Sequence, residues 1–542
     1  MTMSTETELK LRLDPAILPK LRRHPLVTRF KTGRPRSQLL KSVYFDTPDQ
    51  ELRHRQLVLR VRHIGRRRVQ TLKTEGIILG GTRMRGEWEC EISGDQPEPE
   101  GLRATGIALF AGNATPVARL KAQFTTDIHR TTYLLSSDDW DVELAIDQGE
   151  IVADGRSVTV CEAELELKRG GPLCLFDLAL TLLQDIPAEV TTATKSDRGY
   201  DLASGAGPAP AKAPAISLTA DMSSGDAFRH IARSCLEHYL RNQDCLSVTR
   251  APEAVHQMRV ALRRLRSAIS VFGDFLATPE TLGLRRDLSE VLGPLGRARD
   301  ADVFQAEIVD PTAPLLSGEP GYARLCSDIA RERRDAYDEV MTQVRSARTA
   351  LMTIRLGRWI EAGDWSLDQS PDMIAARQRA VGDLARSALR KRDLRLSRDL
   401  RQLDRLSAEE RHQARIQVKK MRYSIDFFGS LLRSRRIRTL GALLAQLQDR
   451  LGYLNDIAVA RRHLRRLADQ SQDPERLWTA GLIAGWQAAR AEALLGVIAR
   501  DWKRYDSLPR KWRVTGLDRA AGKAEEIDTD PGRPGSGGDT SS

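Results

Sequence analysis

Glu6-Thr7-Glu8-Leu9-Lys10-Leu11-Arg12 alternates charged with small or apolar side chains, and Glu162-Ala163-Glu164-Leu165-Glu166-Leu167-Lys168 does the same far along the chain. In a β-strand successive side chains point to opposite faces, so Glu6, Glu8, Lys10 and Arg12 share one face while Leu9, Leu11 and Leu13 take the other. A single such strand is the ordinary mark of an antiparallel sheet with one wet face. Here the pattern recurs. Arg60 and Arg62 share a face, as do Thr71 and Lys73; Arg85, Glu87, Glu89 and Glu91 alternate with Gly86, Trp88, Cys90 and Ile92; Glu143 and Asp147 fall on one side of residues 142–147. If the sheet closes on itself, these charged faces line a tunnel, because barrel strands alternate inside and outside along their length.

A lumen carrying both carboxylates and Arg/Lys suits a polyanion bridged to a divalent metal. Mg2+ and Mn2+ prefer carboxylate oxygens and commonly share coordination with substrate phosphates, which makes Glu6, Glu8, Glu164 and Glu166 the leading ligand candidates. Lys10, Arg60, Arg62, Lys73, Arg130, Lys195 and Arg198 can supply charge-assisted hydrogen bonds to phosphate oxygens. Hydrolysis at such a site needs a positioned water and stabilisation of developing charge, with no Ser, Cys or His nucleophile.

Glu6-Thr7-Glu8-Leu9-Lys10 resembles the ExExK signature of CYTH domains, the triphosphate tunnel metalloenzymes. Further matches follow in the family's order: residues 43–49 (VYFDTPD), 59–62 (LRVR), 71–73 (TLK), 85–87 (RGE), 124–127 (FTTD) with Arg130, 146–150 (IDQGE), the 162–166 ladder and 195–200 (KSDRGY). The resemblance covers residues 4 to about 203 and is nearest to bacterial two-part inorganic triphosphatases. It implies a catalytic set of Glu6, Glu8, Lys10, Glu164 and Glu166, metal held by the four glutamates, and triphosphate gripped by the named Arg and Lys residues. Glu162 stays unassigned between hydrogen bonding and metal binding.

Residues 203–217 have the Pro/Ala/Gly composition of an extended linker, and the reading divides the chain into a tunnel domain over 1–203, a linker over 204–225, a helical domain over 226–512 and a disordered tail over 513–542. The helical part contains a duplication. Residues 255–266 (VHQMRVALRRLR) align with 411–422 (RHQARIQVKKMR), and the same offset of 156 residues pairs Leu288, Leu295, Gly296, Asp300 and Val303 with Leu444, Leu451, Gly452, Asp456 and Val459. Two similar bundles of about four helices, related by a pseudo-two-fold, are expected. The fold class is therefore α+β multidomain: an antiparallel β-barrel tunnel, then an all-α domain of two pseudo-symmetric bundles.

At 3.6 residues per turn, Arg259, Arg263 and Arg266 gather on one side of the first repeated helix, and Met258, Leu262, Leu265, Ile269 and Phe272 on another. The second copy repeats this with Arg415, Lys419 and Arg422 opposite Ala414, Val418, Met421, Ile425 and Phe428. Residues 255–266 contain no acid, which favours a polyanion surface over a merely solvated face. The repeated His-Gln-x-Arg resembles a CHAD domain, which implies binding of inorganic polyphosphate through a positive groove. His256 and His412 either donate to phosphate or pack as neutral, hydrogen-bonded residues.

The 85 Lys plus Arg against 73 Asp plus Glu, a formal charge of +12, favour anionic partners. Zinc-finger spacings are missing and aromatics make up only 5% of the chain, which weighs against specific nucleic-acid recognition. Cys90, Cys161, Cys174, Cys235, Cys245 and Cys326 form no CxxC pair and read as reduced thiols. The reading finds no apolar leader and no stretch of about eighteen apolar residues, so no membrane partner and a cytoplasmic location are expected. The Asn113-Ala114-Thr115 sequon carries no meaning in that compartment. Tripolyphosphate as substrate, Mg2+ or Mn2+ as cofactor and polyphosphate as a further partner complete the expectation. Another organic triphosphatase, an adenylate cyclase, or a non-catalytic polyphosphate scaffold are the alternatives.

Overall fold

The computed structural model describes residues 4–74, 76–111, 116–400, 407–432 and 435–510. The expected tail over 513–542, the end of the helical domain at Trp512 and the sequon at 113–115 lie outside the described residues.

The alternating segments form strands β1 (Ser4–Arg12), β2 (Lys31–Asp46), β3 (Leu57–Ile64), β4 (Arg67–Thr74), β5 (Ile77–Leu79), β6 (Thr82–Ile92), β7 (Lys121–Ser136), β8 (Asp141–Ala153), β9 (Arg156–Arg169) and β10 (Glu189–Val190). Neighbours run β1-β9-β8-β7-β2-β3-β4-β6, and β6 pairs back onto β1, so eight antiparallel strands close a barrel. The register sets the lumen. Glu8 faces Glu166, Lys10 faces Glu164 and Arg12 faces Glu162 across β1 and β9, while Glu6 faces Arg85 across β1 and β6. With a side-chain period of two, a slip of one residue would turn this whole set outward.

The outer faces are apolar and covered. Leu9, Leu11, Leu144, Ile146 and Leu165 are buried with Leu175, Phe176, Ala179 and Leu182 of helix α1 (Leu173–Asp185). Leu59, Val61 and Leu72 pack with Leu52, Leu102 and Phe110 on another side. Helix α2 (Lys195–Ser204) lies flat on β7: a Cβ on Gly199 would sit 2.1 Å from the Phe124 ring, so only glycine permits this approach.

Nine more helices of ten residues or longer follow among the described residues: α3 (Ser224–Thr249), α4 (Pro252–Val271), α5 (Pro279–Val303), α6 (Pro320–Val344), α7 (Ala347–Ala362), α8 (Val381–Asp399), α9 (Ala408–Phe428), α10 (Arg435–Asp469) and α11 (Pro474–Ser507). The duplicated segments occupy matching elements, 255–266 in α4 with 411–422 in α9, and 288–303 in α5 with 444–459 in α10. Between the halves, residues 206–220 form neither helix nor strand but are pinned: the Ala211 carbonyl accepts from Asn242 Nδ2 at 2.9 Å, and Ile216 and Leu218 are buried. The apolar core that begins under the barrel continues through α1 and α7 into the helical part. All six cysteines are free.

One expectation is corrected here. Helix α11 is long and apolar enough, by length and composition, to cross a membrane, where the sequence reading found no such stretch. Two charged residues within an Ala/Leu/Gly-rich run hid it. Only 17% of its most apolar stretch is buried; Ile483, Ile498, Trp502 and Tyr505 are the large apolar side chains of this helix that pack inward, while Leu477 and Trp478 are exposed.

Candidate functional site

The barrel encloses a narrow cavity of about 130 Å3 lined by seven cations, Lys10, Arg60, Arg62, Lys73, Arg85, Arg130 and Lys195, and six carboxylates, Glu6, Glu8, Glu87, Glu89, Glu164 and Glu166. Burying so many charges is tolerable only because they pair. Lys73 Nζ lies 2.8 Å from both Glu6 and Glu87, and Arg85 reaches Glu6 at 2.7 Å and Glu8 at 3.1 Å. Burial opposes ionisation of Glu6, but Lys73 and Arg85 outweigh it and hold the carboxyl well below its usual range.

A second cluster fills the other side of the lumen. Arg130 forks onto Asp147 at 2.7 and 2.6 Å and also donates to Glu164. Lys195 Nζ sits 2.6 Å from Asp147 and 3.0 Å from Glu164, and it also bonds Glu162; Lys10 approaches Glu164 at 3.1 Å. Burial again opposes ionisation of Glu164, and Lys195, Lys10 and Arg130 override it. Lys195 in turn is held charged, against burial, by Asp147, Glu162 and Glu164.

Two groups are left without full compensation. Arg62 donates to the Ser42 hydroxyl at 3.2 Å, and no carboxylate pairs with it among the described residues. Burial, Arg60 and Arg130 together push its guanidinium down to about 9. Glu166 is raised above the usual carboxylate range by burial, with Glu6 and Glu143 adding repulsion that Lys168 only partly offsets. The lumen therefore combines a cation that no carboxylate pairs among the described residues with a carboxylate that its one ion pair, to Lys168, leaves raised above the usual range.

Glu6, Glu8 and Glu166 line the cavity with oxygens of the kind Mg2+ and Mn2+ take, with Lys73, Arg85 and Lys168 paired to them. Among the described residues, Asp147, Glu162 and Glu164 are the acids that bring carboxylate oxygens within 4.8 Å of one another. The Lys195 ammonium already occupies that spot, so this trio does not fit a metal while Lys195 is in place.

Of the residues singled out from the sequence, Glu6, Glu8, Lys10, Arg60, Arg62, Lys73, Arg130, Glu164, Glu166 and Lys195 converge on the cavity; Arg198 does not. Its guanidinium bonds the Thr159 carbonyl, lies 3.7 Å from Glu162 and lines a separate cleft of about 950 Å3 beside α3. Glu162, only 2% exposed, is gripped by Lys195 from the lumen and by Arg198 from the cleft. Arg85, Glu87 and Asp147 were legible as strand alternation, but nothing in the sequence told which partners they meet.

The helical part holds a cavity of about 1130 Å3. Arg259, Arg263, His412 and Arg415 line it, joined by Arg461, Arg462 and Arg466. His256, Arg266, Lys419 and Arg422 do not line it: Arg266 is exposed and Arg422 Nε is 4.0 Å from Asp426. Burial, with Arg415 and Arg263 close by, drops Lys419 to about 7. His412 Nδ1 hydrogen-bonds Asn455 at 2.8 Å. The acids missing from 255–266 arrive from other helices, as Asp300 lies 3.9 Å from Arg259 and Asp456 faces Arg415. These two aspartates occupy equivalent positions in the duplication.

The CYTH domain family model matches residues 4–200 and the CHAD domain family model matches residues 230–465. An inorganic triphosphatase of Haemophilus influenzae is 31% identical over 202 residues, 37% of this chain and 56% of that protein. An uncharacterized protein of Mycobacterium tuberculosis is 28% identical over 278 residues, 48% of this chain and 50% of that protein. The chain thus spans about half the length of these curated relatives. Among solved structures, the CHAD domain from the plant Ricinus communis aligns with a TM-score of 0.48 at 28% identity, over 56% of this chain and 98% of that one.

Proposed function

For this chain, which joins a CYTH domain to a CHAD domain, we propose a divalent-metal-dependent inorganic triphosphatase: tripolyphosphate and water enter the tunnel, and diphosphate and orthophosphate leave it. The observation that carries the reading is the unmatched pair in one narrow lumen, Arg62 without a carboxylate and Glu166 without enough cation, since a metal-bearing polyanion supplies both missing charges at once. The narrow, charge-lined cavity suits a chain of phosphates. The resemblance to the Haemophilus influenzae protein supports the same reaction class.

Glu6, Glu8 and Glu166 would hold Mg2+ or Mn2+, with Glu164 the weaker candidate because three cations already claim its oxygens. When bound, such an ion polarises phosphoryl oxygens and acidifies water. Arg60, Arg62, Lys73 and Arg85 orient the phosphate chain by charge-assisted hydrogen bonds, and Lys10, Arg130 and Lys195 stabilise charge gathering on the leaving portion. Apart from Arg62, these cations are paired with carboxylates in the free enzyme and would exchange them for phosphate oxygens.

Longer polyphosphate is assigned to the helical cavity, through Arg259, Arg263, His412 and Arg415, with Lys419 close to Arg415 and Arg263; His256, Arg266 and Arg422 do not line it. Phosphorus NMR of a reaction with Mg2+ tests the first part: one diphosphate and one orthophosphate per tripolyphosphate are expected, and absence of turnover with intact ligand binding would make the tunnel a receptor. Charge reversal at Arg259, Arg263, Arg415 and Lys419 tests the second. Long-chain binding is expected to fall while tripolyphosphate cleavage persists; equal loss of both in a folded variant refutes the division of labour.

A further inference from the structure

The tunnel cation Lys195 follows a segment that the helical domain holds. Lys195 opens helix α2, whose start is fixed by a reciprocal cap: the Thr194 hydroxyl accepts from the Asp197 amide, and the Asp197 carboxylate accepts from the Thr194 amide. The four residues before Lys195 contain no regular structure of their own beyond the two-residue strand β10 that precedes them. They are held from outside, by the Lys10 carbonyl, which accepts from the Thr191 amide at 3.2 Å, and above all by one carboxylate from helix α3, Asp244.

Asp244 is buried, 8% exposed, and all but one of its hydrogen bonds across the boundary go to this segment, the other going to Arg12 of β1. Its Oδ2 accepts from the Thr192 amide at 3.0 Å, the Thr192 hydroxyl at 3.0 Å and the Ala193 amide at 3.1 Å. Its Oδ1 accepts from the Thr191 hydroxyl at 2.6 Å and from Arg12 at 3.2 Å. Its neighbours on α3 add to the grip, as Gln243 Nε2 donates to the Val190 carbonyl at 2.9 Å and Ser247 to Glu189 at 3.0 Å. From the barrel side, Arg83 donates to the Thr192 carbonyl at 2.8 Å. The loop is thus clamped between strand β6 and helix α3, with Asp244 as the central acceptor.

A second contact joins the two halves beside the lumen. A Cβ on Gly357 of α7 would lie 1.8 Å from the Gly80 carbonyl, at the turn between β5 and β6, so the helix backbone sits directly on the barrel hairpin that carries Arg83 and Arg85. Both of these contacts adjoin lumen cations.

From this geometry we propose that Asp244 is a positioning residue for the tunnel: by ordering residues 191–193 it sets the start of α2 and so the place of the Lys195 ammonium among Asp147, Glu162 and Glu164. The proposal rests on the triphosphatase reading for its kinetic consequence, not for its structural one. A misplacement of about 1 Å in a positioned group can cost roughly a hundredfold in rate. Asp244→Ala removes five hydrogen bonds without touching the lumen, and a loss of about tenfold or more in kcat is expected with a smaller change in KM.

The test is a cycle in the full-length protein with Asp244→Ala, Lys195→Met and the double variant, each checked for native circular dichroism. If Asp244 acts through Lys195, adding Asp244→Ala to Lys195→Met changes kcat by less than about threefold, whereas independent effects multiply. Multiplying effects, or wild-type kinetics in Asp244→Ala, overturn the proposal. Hydrogen exchange of the Thr192 and Ala193 amides gives a readout that needs no turnover: faster exchange in Asp244→Ala, with the β8 and β9 amides unchanged, is expected. Unchanged exchange at 192–193 refutes the clamp. If the wild type cleaves no triphosphate, the functional reading fails, and the cycle is then read on the metal-supported affinity for tripolyphosphate with the same criteria. Should Asp244→Ala not fold, Thr192→Val, which deletes one hydroxyl bond to Asp244, serves the cycle, with a proportionally smaller loss expected and no loss refuting.

Discussion

Neutralising Glu164 isolates the charge balance of the lumen. Glu164 is paired with Lys10 at 3.1 Å and Lys195 at 3.0 Å and accepts a further bond from Arg130, and the cavity carries seven cations against six carboxylates. Glu164→Gln keeps the shape and removes one negative charge. Breaking a buried pair typically costs about 3–5 kcal/mol; because Asp147, Glu162 and Glu8 still face the same cations, the lower end, about 3 kcal/mol, applies. For a domain of this size that is a fall in Tm of roughly 6–12 °C. The sign with pH follows from the carboxyl being held below its usual range: its contribution is present above the unfolded value, near about 4.5, and is lost as pH falls through the folded one, so wild type and variant converge only in strong acid. The vacated charge should be taken up by anion. At about 6 Å and an effective dielectric near 20, one unit of charge is worth roughly 3 kcal/mol, so metal-free tripolyphosphate should bind on the order of tenfold to a hundredfold tighter. Differential scanning calorimetry with and without tripolyphosphate, and titration calorimetry in EDTA, read both effects. A variant with wild-type Tm and unchanged metal-free affinity would refute the charge-balance reasoning.

Arg62→Met removes a buried cation that no carboxylate pairs among the described residues, so Tm should rise while tripolyphosphate affinity falls; a destabilised variant would show that Arg62 is structurally compensated. Metal binding should displace the proton that Glu166 retains above the ordinary carboxylate range, so calorimetric metal titrations in buffers of different ionisation enthalpy should show proton release at mildly acidic pH that fades as pH rises, and Glu166→Gln should abolish it. Lys419, lowered to about 7, is neutral above that pH in the free protein and gains a proton when a polyanion binds; polyphosphate affinity should therefore fall as pH rises through 7, by at most about tenfold per unit for one proton. Lys419→Met should flatten that slope, as seen in filter-binding or polarisation titrations at fixed salt.

The barrel was legible because a period of two is unforgiving: Glu6, Glu8 and Lys10 can share a face only in a strand, and repeating that pattern in segments that pair into a ring leaves the charges nowhere but inside. The alternation could not tell which acid meets which base. That Lys195 rather than a metal sits among Asp147, Glu162 and Glu164 depends on the angle at which α2 leaves a loop held by Asp244, an arrangement set by a residue roughly fifty positions downstream. Arg198 shows the same limit, since from three residues along α2 it reaches the other side of Glu162. In the helical half the duplication was legible as matched letters, and Asp300 and Asp456 were among them, but a charge count within 255–266 cannot see acids delivered by neighbouring helices. Arg266 and Arg422 share helical faces with Arg259 and Arg415 yet lie a turn or two beyond the cavity, where Arg266 is exposed to solvent and Arg422 faces Asp426. Helix α11 escaped for a different reason, its apolar run being interrupted by two charges.

Phosphate release from tripolyphosphate, ATP and thiamine triphosphate at matched concentrations, with Mg2+ or Mn2+, for the wild type beside Glu6→Gln/Glu8→Gln, tests the central claim most directly. Strong preference for tripolyphosphate and an inactive but folded double variant are the predicted result; cleavage of an organic triphosphate in preference, or undiminished turnover by the variant, would contradict it.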